Sequence, residues 1–393
     1  MDYNPFSPEV QKDPYPYYAY LREHAPVYQV PGIGCWAISR YDDVLSAFRN
    51  PQVFSSTIYA TALVGEFVSF LPQAPLIIAT DPPVHTRLRK LVNRAFTPRR
   101  IAGMESHIRE ITKALIEPAA AKGEFDLVKD LAELLPVTII AEMLGVEPER
   151  RHDFRRWSDA VVTASKGAAV TPEEREQIPR DLTEFLAYFR AAIETYRKQP
   201  GDSLLSDLVQ AEEENQMLTS EEILGLATIL LVGGNETTTN LIGNAVLALG
   251  DHPDQMALIR ANPLLVPNLV EETLRYDAPV QMSFRVTTQE VEVAGTTIPA
   301  GVLVFLLIGA ANRDERKFPG AERFDMQRNA EGHLAFITGV HYCLGSQLAR
   351  LEAKTALEAV LARLPRLSRT AEDGPRIASV LIRGLKTMPL LVE

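Results

Sequence analysis

The residue best suited to unusual chemistry is Cys343, which lies just before a predicted helix. Unpaired backbone N–H groups and the positive end of the helix dipole favour a thiolate there, and the thiolate is the form that binds metal. Gly345 would let the backbone approach the sulfur closely. The other cysteine, Cys35, stands in an apolar run that predicts a buried strand. Two cysteines are too few for a disulfide framework or an all-thiolate site. Cys343 is therefore either a single metal ligand or, as cysteines more often are, a buried free thiol.

A second group of candidates lies on a long apolar stretch, in which Glu236 is the only charged residue between Gly225 and Leu249. Such a carboxylate is costly unless it is hydrated, paired or used, and beside the hydroxyl of Thr237 it suits proton delivery. The adjacent Gly233-Gly234 weakens a helix by roughly 1 kcal/mol per glycine, which indicates a groove beside the backbone or a break in the helix. The alternative is a closely packed helix whose acid reaches a surface arginine.

The element that carries this acid and alcohol is predicted to be the longest helix in the chain. Thr219 and Glu222 form a capping box at its start, and Gly250 is a stop signal after Leu249. At about 1.5 Å per residue, this helix would cross the whole molecule.

The remaining pattern predicts a single α-rich domain over residues 1–393, with small β-sheets at its edge. Further helices are expected where apolar residues recur at spacings of three and four. The predicted elements are helices over 14–24 and 41–49, a turn at 30–34, a long apolar loop over 51–80, helices throughout 85–249, strands within 283–308, coil over 312–342 and a helix from about Gly345.

Composition excludes several classes of protein. The chain is 46% apolar and 23% charged, which is typical of a globular protein and not of a disordered one. A net charge of −11 argues against nucleic acid as a partner. The first residues lack the pattern of a signal peptide, and no apolar run approaches the ~20 residues of a membrane helix. The expected location is the cytoplasm.

Residues 336–345, here called the ligand loop, contain an aromatic residue followed by spaced Gly, His, Cys and Gly. This arrangement resembles the haem-ligand segment of the cytochrome P-450 family. Residues 232–237 are similar to that family's oxygen-binding helix, and Glu272 with Arg275 is similar to its Glu-x-x-Arg motif, with Arg328 as the third member. The chain departs from the family at Ile337, where glycine usually follows the aromatic residue. The resemblance implies a mostly helical triangular prism around haem b, with Cys343 as the iron ligand.

The resemblance also implies roles for other residues. Glu236 and Thr237 would supply protons for oxygen activation. The resemblance assigns the cofactor contacts to His85, Arg89, Gly233, Arg285, Phe336, His341, Cys343 and Gly345, with His85, Arg89, Arg285 and His341 at the haem propionates. It assigns the substrate contacts to Val232, Val280, Gln281 and Ile382, beside the 51–80 segment and Leu381.

Such an enzyme would be a soluble bacterial monooxygenase, a monomer that inserts one oxygen atom from O₂ into a small hydrophobic substrate by hydroxylation or epoxidation. Electrons would come from a ferredoxin or flavodoxin docked on the Cys343 side, and the basic residues Arg87, Lys90 and Arg94 are candidates for steering that encounter. Two alternatives remain, a peroxide-driven haem hydroxylase and a haem-binding sensor or carrier without turnover. The acid–alcohol pair argues against the first, since such relatives typically lack it.

Overall fold

A computed structural model describes residues 1–122, 124–164, 170–213, 216–363, 368–369 and 374–391. The chain forms two compact units. The first comprises Met1–Phe54, Met104–Leu135 and Thr237–Glu393, and the second comprises Ser55–Gly103 and Pro136–Glu236. Helices dominate, with small sheets, and within the described residues no helix combines the length and apolarity that crossing a membrane requires.

The α-helices, in chain order, are α1 (Pro8–Lys12), α2 (Tyr15–His24), α3 (Tyr41–Arg49), α4 (Tyr59–Val64), α5 (Val84–Ala95), α6 (Pro98–Gly103), α7 (Glu105–Lys122), α8 (Leu134–Met143), α9 (Arg151–Ala164), α10 (Pro172–Lys198), α11 (Leu204–Gln210), α12 (Ser220–Asp251), α13 (Pro253–Ala261), α14 (Val266–Tyr276), α15 (Ile308–Ala311) and α16 (Ser346–Arg363). Short helical segments of other types lie at Gly65–Phe70, Ile77–Ala79, Leu127–Ala132, Pro148–Arg150, Pro263–Leu265 and Gly339–His341.

The strands are β1 (Val27–Val30), β2 (Cys35–Ile38), β3 (Phe54–Ser55), β4 (Glu124–Asp126), β5 (Glu212–Glu213), β6 (Gln216–Met217), β7 (Ser283–Thr287), β8 (Val291–Val293), β9 (Thr296–Ile298), β10 (Leu303–Leu306), β11 (Ser368–Arg369) and β12 (Pro389–Leu391). The largest sheet has the order β1-β2-β10-β7-β3, in which β10 runs parallel to β2 and antiparallel to β7. Smaller sheets are β11-β12-β4, β5-β6 and β8-β9.

Most predicted elements are confirmed. The helices at 14–24 and 41–49 are α2 and α3, the turn at 30–34 joins β1 to β2, and Cys35 is buried in β2. Strands lie within 283–308, and the coil over 312–342 leads into α16, apart from one helical turn at its end. In the predicted helical region over 85–249, β4, β5 and β6 are short interruptions.

The prediction of a long loop over 51–80 is wrong. This segment contains β3, the helix α4 and two further helical turns. Its apolar residues Tyr59, Val64 and Phe67 are buried. A six-residue helix has fewer than two turns and shows too little periodicity to be recognised in the sequence.

The capping box of α12 is confirmed. The Thr219 N–H donates to Glu222 Oε2 over 2.9 Å, and the Glu222 N–H donates to Thr219 Oγ1 over 3.2 Å. The helix continues without interruption through Gly233-Gly234, so of the two alternatives, a groove beside the backbone or a break, the break is absent. It also passes Gly250 and ends at Asp251, because a residue before proline, here His252, disfavours the helical conformation.

The predicted ion-pair motif is also confirmed, and it is buried within the first unit. Arg275 binds both carboxylate oxygens of Glu272 over 2.8 Å, and Arg328 Nε lies 3.4 Å from Glu272 Oε1. The Arg275 guanidinium also donates to the carbonyls of Asn312 and Ala321. A single arginine thus anchors the coil that leads to the ligand loop.

Candidate functional site

The ligand loop is closed by a hydrogen bond of its own backbone. The Cys343 N–H donates to the Phe336 carbonyl over 3.0 Å, and Ser346 N lies 3.5 Å from the Cys343 carbonyl. The first intrahelical bond of α16 runs from the Ala349 N–H to the Gly345 carbonyl over 2.9 Å. Cys343 is half-buried and lies immediately before this helix, as predicted. A Cβ built on Gly345 would meet no protein atom within 4 Å, so protein packing alone does not demand glycine.

Ile337 adopts a backbone conformation that usually requires glycine. Its φ is +58°, in the left-handed region that β-branched residues rarely enter. Its N–H donates to the Leu334 carbonyl over 2.8 Å, and its side chain packs against the core cluster that contains Val44 and Phe48. Gly339, at φ +69°, follows so close to α3 that an added Cβ would lie 2.8 Å from the Phe48 carbonyl oxygen. The loop therefore takes a path at residue 337 that glycine would adopt without strain.

The middle of α12 is more exposed than the helix on either side. Residues 223–231 and 238–249 are almost entirely buried, whereas residues 232–237 are half-buried or exposed. The two glycines have different surroundings. A Cβ on Gly234 would lie 2.9 Å from Ile140 Cδ1, and a Cβ on Gly233 would meet nothing within 4 Å. Gly234 thus allows close packing with α8, whereas packing against other protein atoms does not require glycine at position 233.

The predicted cationic residues lie at well-defined positions in the two units. In the first unit, Arg285 on β7 is 3% exposed and donates to Ser283 Oγ over 3.0 Å and to the Phe284 carbonyl over 2.6 Å. His341 lies in the helical turn before Cys343 and is half-buried. In the second unit, His85 and Arg89 are one turn apart on α5. Burial lowers the pKa of His85, and the Arg89 cation lowers it further.

Two of the predicted substrate contacts are adjacent in the first unit. Val280 and Ile382 form an antiparallel bridge, flanked by hydrogen bonds from Gln281 N to the Leu381 carbonyl and from Arg383 N to the Pro279 carbonyl, both 2.8 Å. The Gln281 side chain points into the protein. Its amide nitrogen donates to the Ala278 carbonyl over 2.8 Å and lies 3.4 Å from the Tyr15 hydroxyl. Substrate contact by Gln281 stays a prediction.

Sequence reasoning missed a close approach between α12 and the segment that carries Ile382. A Cβ built on Gly384 would collide with the side-chain amide of Asn240, which is 1% exposed. One turn further along, Asn244 donates to the carbonyls of Asp277 and Arg383, both over 3.0 Å. Asn240 and Asn244 are polar residues on a largely apolar helical stretch. This pattern was the sequence signal that could have indicated the contact.

A second missed cluster surrounds the carboxylate of Glu271 on α14. Arg350 approaches it with Nε at 2.6 Å and Nη2 at 3.0 Å, and His333 Nε2 lies 3.1 Å away. Burial opposes ionisation, but the hydrogen bonds from His333 and Arg350 outweigh it and lower the pKa of Glu271 to about 2. The Arg350 guanidinium also covers the ring of Phe336, 4.5 Å from its centroid.

Two basic residues, Arg87 on α5 and Arg100 on α6, form ion pairs within the protein. Arg87 pairs with Glu222, so the capping-box carboxylate also holds α5 against the start of α12 within the second unit. Arg100 pairs with Asp207 in the same unit. Arg87 is therefore engaged in structure, and the steering of a partner by Arg87, Lys90 and Arg94 stays a prediction.

Comparisons with known proteins agree on one family. The family model for cytochrome P450 matches residues 173–377. Cytochrome P450 107B1 of Saccharopolyspora erythraea is 41% identical over 387 residues, covering 95% of this chain and 93% of the relative. The structure of cytochrome P450 CYP109Q5 from Chondromyces apiculatus is similar with a TM-score of 0.92 and 42% identity, covering 99% and 98% of the two chains. CYP109E1 from Bacillus megaterium in complex with corticosterone matches with a TM-score of 0.87 and 34% identity, covering 98% and 99%.

Proposed function

Because this chain belongs to the cytochrome P450 family and is a cytochrome P450 monooxygenase, we propose that Cys343 binds haem b and that the enzyme inserts one atom of O₂ into a hydrophobic substrate. The observation that carries the proposal is the ligand loop. It closes through the bond from the Cys343 N–H to the Phe336 carbonyl and presents the cysteine at the start of α16. The helix dipole there favours the thiolate that iron requires.

The residues present fit a haem. A buried guanidinium such as that of Arg285 suits a propionate, since a buried carboxylate needs a cationic partner. His341, His85 and Arg89 would complete the propionate contacts, with Phe336, Gly345 and Gly233 as the other contacts to the cofactor. When bound, the haem supplies the site of dioxygen activation, and a thiolate ligand assists cleavage of the O–O bond.

Proton delivery is assigned to the half-buried part of α12. Glu236 would hold a proton taken from solvent, and the Thr237 hydroxyl would pass it towards the position where oxygen binds. The carboxylate of Glu236 beside the Thr237 hydroxyl, on a helical stretch that is otherwise apolar, supports this role, because such a carboxylate is costly unless it is hydrated, paired or used.

The substrate is proposed to be a lipophile that Val232, Val280 and Ile382 contact. The apolar character of these residues supports a fatty acid, terpenoid, steroid or polyketide. Steroids are the first class to test, because the structural relative CYP109E1 was crystallised with corticosterone. Titration of the haem-loaded protein with such compounds, followed by the absorption spectrum of the haem, would identify ligands directly.

Electrons are proposed to come from a ferredoxin or flavodoxin that binds on the Cys343 side of a monomeric enzyme. Reversing the charges of Lys90 and Arg94 should slow reduction and weaken its dependence on salt. Unchanged reduction rates and an unchanged salt dependence would show that these residues are not part of the surface that binds the redox partner.

The decisive experiment is the spectrum of the reduced protein with carbon monoxide. Wild type should show the Soret band of thiolate-ligated haem, Cys343→Ser should lose it, and Cys35→Ser should retain it. A band at the position of histidine-ligated haem in the wild type, or no retained pigment, would refute the proposal.

The two alternative functions give different results in turnover assays. A peroxide-driven hydroxylase would form product with hydrogen peroxide and gain nothing from a reduced ferredoxin. A sensor or carrier would bind haem and lipophile without forming any product.

A further inference from the structure

Glu271 connects the two ends of the ligand loop. His333 lies shortly before the loop, and Arg350 lies on α16 shortly after it. Both bind the same carboxylate, Arg350 through a bidentate contact at 2.6 and 3.0 Å and His333 through Nε2 at 3.1 Å. Charge-assisted bidentate contacts are among the strongest and most directional hydrogen bonds in proteins. The neighbouring Glu272 binds Arg275 and does not take part.

The contact of its second ring nitrogen indicates the tautomer of His333. The Ala335 N–H donates to His333 Nδ1 over 3.2 Å, so Nδ1 is an acceptor and carries no proton. The proton of the neutral ring therefore lies on Nε2, where it is donated to Glu271. His333 thus bridges the carboxylate and the backbone immediately before the loop.

Both partners of Glu271 also contact Phe336. The Arg350 guanidinium lies 4.5 Å from the centroid of the phenyl ring, and the His333 ring centroid lies 5.9 Å from it. A guanidinium over an aromatic face is attractive, and here the carboxylate holds that guanidinium in place. Phe336 in turn accepts the hydrogen bond from the Cys343 N–H. The contacts therefore run from Glu271, through Arg350 and His333, to Phe336 and to the backbone of the cysteine.

We propose that Glu271 is a positioning residue for the thiolate ligand. By holding Arg350 and His333 it fixes Phe336, and through the Phe336 carbonyl it keeps the Cys343 backbone in the geometry that ligation needs. Its negative charge also balances the Arg350 cation beside the loop. The inference rests on the proposed role of Cys343 as haem ligand.

The test compares two conservative variants of the haem-loaded protein. Glu271→Gln keeps the size of the side chain but loses its charge. Glu322→Gln is the matched control, because Glu322 also bridges two side chains, Arg22 at 3.0 Å and Arg313 at 2.9 Å, without contacting the ligand loop. The readouts are the fraction of the reduced carbon monoxide complex that lacks the thiolate-type Soret band, the haem reduction potential and the free energy of unfolding.

For Glu271→Gln we expect the ratio of non-thiolate to thiolate complex to rise about tenfold. A change of this size is the effect expected when one charge-assisted hydrogen bond is lost. The reduction potential should become more positive, because the unbalanced Arg350 cation favours the electron-rich state. Glu322→Gln should match wild type in both spectroscopic readouts, even if it lowers stability as much.

If Glu271→Gln instead behaves like Glu322→Gln, the inference is wrong. If wild type itself lacks the thiolate-type band, the proposed function fails first, and the inference fails with it. Should Glu271→Gln not fold, His333→Gln and Arg350→Lys each remove one arm of the cluster. Unchanged spectra and potentials in both would overturn the inference.

Discussion

Replacing Ile337 by alanine and, separately, by glycine should destabilise the protein to different extents, with glycine as the milder change. Either substitution removes a partly buried side chain from the core cluster around Phe48, at a cost of roughly 1–2 kcal/mol. Alanine would still have to adopt the φ of +58°, which costs a further ~1–2 kcal/mol, whereas glycine adopts it freely. Since glycine also loses roughly 0.5–1 kcal/mol more backbone entropy than alanine on folding, the glycine variant should be more stable than the alanine variant by about 0.5–1 kcal/mol.

This order is the reverse of the usual one. At an ordinary φ, glycine is less stable than alanine by roughly 0.5–1 kcal/mol, because it loses more backbone entropy on folding. Ala335 provides the control, since it packs against the same core cluster with an ordinary φ. Ala335→Gly should therefore be destabilising. Urea unfolding of the haem-loaded proteins, followed by circular dichroism, gives the free energies by linear extrapolation. If Ile337→Ala is at least as stable as Ile337→Gly, residue 337 does not adopt the left-handed backbone conformation.

Three other outcomes are expected. Thr237→Ala should yield less product per electron and more hydrogen peroxide, measured as product and peroxide per NADH consumed, and unchanged coupling would argue against the proton relay. Burial raises the pKa of Glu352 to about 8, so the folded state binds the proton more tightly and stability should fall as pH rises from about 4.5 to 8. Urea unfolding across that pH range should show that the free energy of unfolding falls in wild type and falls less in Glu352→Gln. Parallel curves of this free energy against pH for the two proteins would contradict the prediction. Glu272→Gln should lower the free energy of unfolding by about 3–5 kcal/mol in the same assay, because it leaves the fully buried Arg275 guanidinium without its carboxylate. A loss below about 1 kcal/mol would show that the pair contributes little.

Features that depend on nearby residues were predictable from the sequence. The capping box of Thr219 and Glu222 involves residues three positions apart, and its two hydrogen bonds are present as expected. The contact between Glu272 and Arg275 is equally local, and helical spacing alone places the two side chains on one face. Arg328 was added to this pair by family resemblance, since sequence spacing does not relate it to Glu272.

Features that depend on tertiary packing were not predictable. Glu271 binds residues 62 and 79 positions away, and no local pattern connects them. The short helix α4 has too few turns to show a period, so the sequence pattern of its segment predicts a loop. The inward direction of the Gln281 amide depends on Tyr15 near the start of the chain, which strand patterning around residue 281 does not reveal.

The contact between Gly384 and Asn240 limits how the substrate range of this enzyme can be engineered. Ile382 is proposed to contact the substrate and is therefore a position to randomise, and its bridge to Val280 is made by the main chain and leaves the side chain replaceable. Position 384 is different, since every residue other than glycine would push the chain away from the Asn240 amide and carry residue 382 with it. A mutant library should therefore diversify 382 and keep 384 invariant, or vary 384 only together with a smaller residue at 240.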